Sequence, residues 1–216
     1  GSNPPLATKK SMTNISFFCL TLDPKHESEI LKLNYIPVGL GEKKFSNNFF
    51  NDKTEKNISH KNQYYGEYTF HYWLWKNYLD KIKTDWVGFC QYRKFFLNKK
   101  ISVNTTEITF DKLNLYTLKD ISNEQNDFDC ILGELFPVDN FKFMKFAKKN
   151  FMKLLTNPSI IFDKSKRNIK LHFDIFHGDG NLDKAIELLE IDDRRGFRDY
   201  VNSKTSLHPH NMFVCK

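Results

Sequence analysis

The chain has no apolar run near the roughly 20 residues that a spanning helix needs, and its start carries no basic-then-apolar leader. These absences exclude an integral helical membrane protein and predict a cytoplasmic chain, with any membrane contact peripheral at the inner face of the plasma membrane. No C-x-x-C pair occurs: Cys19, Cys90, Cys130 and Cys215 lie singly in apolar runs. That excludes the common zinc and redox motifs and predicts four reduced core cysteines. No internal repeat, low-complexity tract or linker breaks the sequence, so it reads as one domain from Met12 to Lys216, after an expression scar over residues 1–11. The net charge is +7, yet the aromatic-basic signature of a nucleic-acid module is missing, and the paired lysines Lys43-Lys44, Lys99-Lys100 and Lys148-Lys149 read as solvation. The charge alone does not choose between nucleic acid, an anionic membrane face and negatively charged substrates such as nucleotide sugars.

What is present is a core-forming chain of 216 residues, 40% hydrophobic and 15% aromatic. Ile15 to Leu22 is an apolar, β-rich run closed by Asp23-Pro24, and Tyr35 to Val38 is a second, stopped by Gly39 and Gly41. The polar stretch from Glu42 to Asn62 reads as a loop. Phe70, Trp73, Leu74, Tyr78 and Ile82 recur at helical spacing, which predicts a helix from Glu67 to Ile82, and Trp86 to Cys90 is a buried strand directly after it. Cys130 to Leu132 and Asn211 to Cys215 read as further strands. Helices are expected from Asp139 through Leu155 and from a cap at Asn181 through Leu189. Strands alternating with helices predict an α/β fold with a mostly parallel central sheet flanked by helices.

In such sheets ligands bind beyond the carboxyl ends of the strands, and Tyr92, Arg93 and Lys94 follow one such end. Two cations there suit a diphosphate, with Arg93 able to bind it through two parallel bonds. Asp127-Phe-Asp129 has the D-x-D spelling used to hold Mg²⁺ or Mn²⁺, but it precedes its strand, where a metal-binding pair should follow one. Ser59, Asn62, Glu67, Lys76 and Asn77 crowd the start of the best helix. His177, Asp174 and Asp179 form an imidazole and carboxylate cluster able to supply a general base, as can Glu134.

Three blocks carry a family resemblance. Asn57 to Asn77, NISHKNQYYGEYTFHYWLWKN, resembles the N-I-S-x-x-N-x-x-Y-x-E-x-T-x-x-Y-W-x-W-K-N block of a bacterial capsular-polysaccharide and lipopolysaccharide glycosyltransferase family first catalogued as a domain of unknown function. Val87 to Phe96 is similar to its I-G-L-x-H-Y-R-R-Y-F block, and Asn211 to Val214 to its N-M-F-I strand. The resemblance implies a single GT-A-like domain and transfer of a sugar from a nucleotide donor, a UDP-sugar by preference, to a growing glycan or lipid-linked glycan. It further implies a donor site built from Pro37, Val38, Gly39, Asn57, Ser59, Asn62, Glu67, Lys76, Asn77, Tyr92, Arg93 and Lys94, with Asn211 on the acceptor side and metal need left open. Gln91 replaces the family's usual His, and Lys94 its second Arg, keeping the charge but not the fork. Family members continue past the last strand, so this chain reads either as cut at its carboxyl end, with part of the acceptor site missing, or as a short member of the family. The rival expectation is a non-catalytic basic module for nucleic acid or anionic glycan, or a degenerate transferase.

Overall fold

The computed structural model describes residues 14–98, 109–139, 155–156 and 158–216. They fall into two compact units, one of residues 1–133 and 210–216, the other of 134–209. The strands among the described residues are β1 (Ile15–Thr21), β2 (Ile36–Gly39), β3 (Phe50–Asn51), β4 (Trp86–Gln91), β5 (Cys130–Leu132), β6 (Phe136–Pro137), β7 (Ser206–Leu207) and β8 (Phe213–Cys215). The helices of the first unit are α1 (Glu27–Lys32), α2 (Asn62–Tyr65), α3 (Tyr68–Asn77) and α4 (Phe110–Tyr116).

The first unit is built on a six-stranded sheet in the order β3-β2-β1-β4-β8-β5. β3, β2, β1 and β4 run parallel, and β8 lies antiparallel between β4 and β5. The α/β architecture with a mostly parallel central sheet is therefore as expected. From β1 the chain moves outward through α1 to β2 and β3, then returns through α3 to β4 on the other side of β1. Right-handed crossovers in opposite directions place their helices on opposite faces, and the burial pattern shows this. Phe17 and Cys19 pack with Ile30 and Leu33 around α1 on one face. Phe18 and Leu20 pack with Phe70, Trp73 and Leu74 of α3 on the other. Period-two alternation in β1 thus feeds two cores at once, which is why that strand is apolar throughout. Each large side chain so buried, such as Phe18, Phe70 or Trp86, contributes roughly 1.5–3 kcal/mol by leaving water.

Gly88 is required by packing. It pairs with Phe17 across the ladder, and a Cβ there would lie 2.4 Å from the Phe17 ring.

Several local expectations change. The stretch from Glu42 to Asn62 contains an edge strand, β3, and is held to α3: the Trp73 indole donates to the Thr54 carbonyl at 2.9 Å, and Asn77 both donates to Lys56 O and accepts from Lys56 N. α3 ends at Asn77, with a short 3-10 turn, Leu79–Lys81, continuing it. Cys19 and Cys90 are buried and all four cysteines are free, but Cys130 is exposed and Cys215 half-buried, since their strands lie toward the sheet's β5 edge. The helix expected from Asp139 to Leu155 lies, between those two residues, outside the described residues.

In the second unit β6 and β7 pair antiparallel. Val138, Ile169, Leu182, Ile186 and Val201 form its core, drawn largely from the helices Ile169–His177, Asn181–Ile186 and Ile191–Ser203. Asn168 caps the first by accepting from Leu171 N at 2.9 Å. Asn181 is not a cap: it is the first helical residue, and its amide donates back to His177 O at 2.7 Å.

Candidate functional site

β1 is the point where the strand order reverses, and the carboxyl ends of β1 and β4 diverge there into loops, the usual place for a ligand crevice in an open α/β sheet. A cleft of about 650 Å³ opens at that place, lined by Thr21, Asp23, His26, Leu40, Lys43, Asn62, Glu67, Gln91, Tyr92 and Arg93 among others. Every lining residue belongs to the first unit.

One wall is a chain of contacts. The Thr21 hydroxyl lies 2.7 Å from His26 Nδ1. The His26 ring stacks on Tyr92 with centroids 3.4 Å apart and planes within 7°. The Tyr92 hydroxyl donates to the Glu29 carboxylate. Burial, then the Glu29 carboxylate, pushes the Tyr92 phenol up to about 12, so it stays a neutral donor at ordinary pH. The backbone sets the position of this wall: Tyr92 N donates to Leu20 O at 3.0 Å and Lys94 N to Gln91 O at 2.8 Å, turning the chain sharply as β4 ends. Tyr92 and Arg93 occupy the turn.

Asp23 caps the short turn after β1. The Lys25 N–H donated to it holds its carboxyl below the ordinary value, against the effect of burial, with Lys43 at 3.4 Å lowering it further. On the opposite side Glu67 accepts from Gln91 Nε2 at 2.6 Å. The Asn62 amide donates to Gly66 O and Thr69 Oγ1, fixing the bend between α2 and α3. Gly66, with φ of 52°, makes that bend possible.

The structure brings together four of the residues expected at the donor site: Asn62, Glu67, Tyr92 and Arg93. The others have different surroundings. Pro37 and Val38 are buried inside β2, Gly39 ends that strand against the Phe45 ring, and Leu40, the residue after the strand, lines the cleft. Asn57 folds onto its own loop, donating to Lys53 O and Glu55 O and accepting from the Ser59 hydroxyl at 2.9 Å. Lys76 lies over the Trp75 ring at 3.0 Å from its centroid, and Asn77 holds Lys56. Lys94 donates to His210 Nδ1 at 3.0 Å, and Asn211 accepts from the Tyr68 hydroxyl at 2.9 Å.

The D-x-D pair sits on the other edge of the sheet. β5 is antiparallel to β8, which is antiparallel to β4, so the approach to β5 lies at the amino end of β4. Asp127 and Asp129 are both exposed there. Asp129 pairs with Lys216 at 3.3 Å, and Lys216 in turn lies over Trp86, the first residue of β4. A metal on a diphosphate in the cleft does not fit this placement, and among the described residues no group of three or more His, Cys, Asp or Glu side chains is arranged to hold a metal ion.

Glu134, Asp174, His177 and Asp179 all belong to the second unit. Asp174 is bound by Lys170 at 3.0 Å, and Lys170 also reaches Asp183 at 2.6 Å. Burial lowers the Lys170 pKa, but the bonds to Asp183 and Asp174 outweigh that and raise it. His177 is exposed at its helix end with its ring against Phe173.

Thr21, Asp23, His26 and Lys43 were not anticipated. The Asp23-Pro24 pair after an apolar run was a usable signal for the first three, because it marks the carboxyl end of a strand. Lys43 lies in a polar stretch with no pattern.

The family described as a domain of unknown function, DUF4422, matches residues 25–216. The chain belongs to that family. No curated protein compared with this DUF4422 chain matches it. Among solved structures it is similar to the apo structure of the WbbM bifunctional glycosyltransferase, with a TM-score of 0.54 and 21% identity. The likeness covers 94% of this chain and 34% of that one, so the DUF4422 chain spans about a third of WbbM and shares a fold with that part. No helix among the described residues is long and apolar enough to cross a membrane.

Proposed function

We propose that the cleft binds a nucleotide sugar and that the chain transfers its sugar to a glycan acceptor. The observation that carries this reading is the presence of Arg93 and Lys43 in one cleft at the strand-order reversal. A departing nucleoside diphosphate gains negative charge as the sugar–phosphate bond breaks, and fixed cations beside it lower that barrier. Arg93 can hold two phosphate oxygens at once, with Lys43 as a point charge. The stacked His26 and Tyr92 rings form a rigid side to the pocket. The fold shared with WbbM, a bifunctional glycosyltransferase, and the three sequence blocks support the same activity. A UDP-sugar is the first donor to test, and a capsule or lipopolysaccharide glycan, lipid-linked at the inner membrane face, the first acceptor. Countercharge comes from Arg93 and Lys43, with no step assigned to a metal at Asp127 or Asp129.

The test is thermal stabilisation by uridine, guanosine, cytidine and thymidine diphosphates, each with and without Mn²⁺. A ligand that binds only the folded state raises the melting temperature by mass action. One nucleotide should do so, and Arg93→Ala should weaken it by roughly 10- to 100-fold, as expected for losing charged hydrogen bonds. A flat response to all four, or an unchanged response in Arg93→Ala, sinks the reading.

A further inference from the structure

Transfer to an alcohol requires a group that takes the hydroxyl proton, and two carboxylates line the cleft, Asp23 and Glu67. Asp23 is committed on both oxygens: Oδ1 accepts from Lys25 N at 3.2 Å, and Oδ2 faces Lys43 at 3.4 Å. Glu67 is committed on one. Its Oε1 accepts from Gln91 Nε2 at 2.6 Å, and among the described residues Oε2 has no hydrogen-bond partner.

Three features hold Glu67 ready. Gln91 is the last residue of β4 and its backbone pairs with Leu20 of β1, which fixes where its side chain starts. Glu67 occupies the cap position of the ten-residue helix α3, so its side chain starts at the amino end of that helix. One turn on, His71 is packed edge-on against Phe89 at 4.5 Å, and burial holds its pKa down to about 4. The residue behind Glu67 is therefore neutral and does not lock the carboxylate into an ion pair.

We propose that Glu67 is the general base of the transfer and that Gln91 is its positioning residue, an assignment that rests on the nucleotide-sugar reading of the cleft. The acceptor O–H bond breaks and its proton passes to Glu67 Oε2. The acceptor oxygen forms a bond to the sugar's anomeric carbon as the bond from that carbon to the diphosphate oxygen breaks. The nucleoside diphosphate leaves with the electron pair, beside Arg93 and Lys43. A single displacement of this kind inverts the anomeric centre.

The experiment uses the full chain with UDP-glucose, UDP-galactose, GDP-mannose and dTDP-rhamnose as donors and octyl glycosides as acceptors. It compares wild type with Glu67→Gln and Gln91→Ala. Glu67→Gln should lose roughly 100- to 10,000-fold in transfer to the glycosides, the usual worth of a general base, while keeping the nucleoside diphosphate shift in melting temperature. Azide is already an anion and needs no base, so Glu67→Gln should form the glycosyl azide at close to the wild-type rate. Gln91→Ala should lower kcat with the donor KM unchanged, and products should show the inverted anomer. If Glu67→Gln does not melt cooperatively, Glu67→Ala carries the same comparison.

The assignment is overturned if the Glu67 variant transfers to glycosides within about threefold of wild type, if azide formation falls in step with transfer, or if the anomer is retained. A wild type that responds to no nucleoside diphosphate overturns the donor site itself, a different failure from a wild type that transfers sugar and a Glu67 variant that does so equally well.

Discussion

His71 illustrates how a single residue behind the cleft can set a property of the whole chain. Both of its ring nitrogens are buried without a hydrogen-bond partner among the described residues, and its pKa falls to about 4 because burial penalises the charged ring, with Glu67 opposing only in part. The native state therefore holds a neutral ring where the unfolded chain binds a proton near 6.5. Stability conferred by His71 is complete above about pH 6.5 and is lost as pH falls through about 4, by roughly 3 kcal/mol in all. Melting temperatures measured between about pH 7 and pH 4 should show that loss, and His71→Phe should flatten it. A variant with the full wild-type slope would place the acid sensitivity elsewhere. At this scale the sequence exposed residues whose chemistry is local, such as Arg93 and Tyr92 after an apolar run. It could not expose the pairing of Gln91 with Glu67, which are 24 positions apart, or of His26 with Tyr92, because those contacts exist only once β1 and β4 are neighbours.

Among the elements, α3 organises its surroundings through the two ends of one helix. Its start presents Glu67 to the cleft, and its end holds the preceding loop through Asn77 and Lys56. Asn77→Ala should cost roughly 1–2 kcal/mol of local stability from the two lost bonds. Trypsin cleavage after Lys53 or Lys56 should then speed up by about 5- to 30-fold if it follows the opened population; an unchanged rate would show that Trp73 and Thr54 hold the loop alone. β1, β4 and α3 were legible because each contributes a run of apolar residues with a clear period. α1 was not, because Ile30 is its one buried residue, and β3, at two residues, carries no period. The 13-residue helix Ile191–Ser203 was missed for a related reason: Val201 is its one buried side chain. Its signals are Asp192 and Asp193 in the first turn, placed favourably for the dipole, and Arg194 and Arg198 bonded back to Glu187.

Taken as a whole, the molecule is unusual in how its chain is routed. The first unit is discontinuous: residues 210–216 return to it after the second unit and supply β8, paired on both sides. Val214 is fully buried, so this short strand forms part of the core as well as the ladder. Removing residues 210–216 should therefore abolish cooperative unfolding of the sheet, read by near-ultraviolet circular dichroism, because the lost burial of Met212 and Val214, with the lost pairing of β8 on both sides, takes up much of the margin of about 5–15 kcal/mol that keeps a domain folded. A truncated chain that still melts cooperatively would show β5 able to re-pair with β4 directly. The same routing has a consequence during synthesis. The roughly 80 residues between Leu132 and Phe213 take on the order of 4–16 s to emerge at about 5–20 residues per second. Throughout that interval the β4 edge, with Val87 and Phe89, has no neighbour on one side and is open to other strands. The nascent chain should therefore depend on chaperones until Phe213 leaves the ribosome, and slow translation of the second unit should lower its yield.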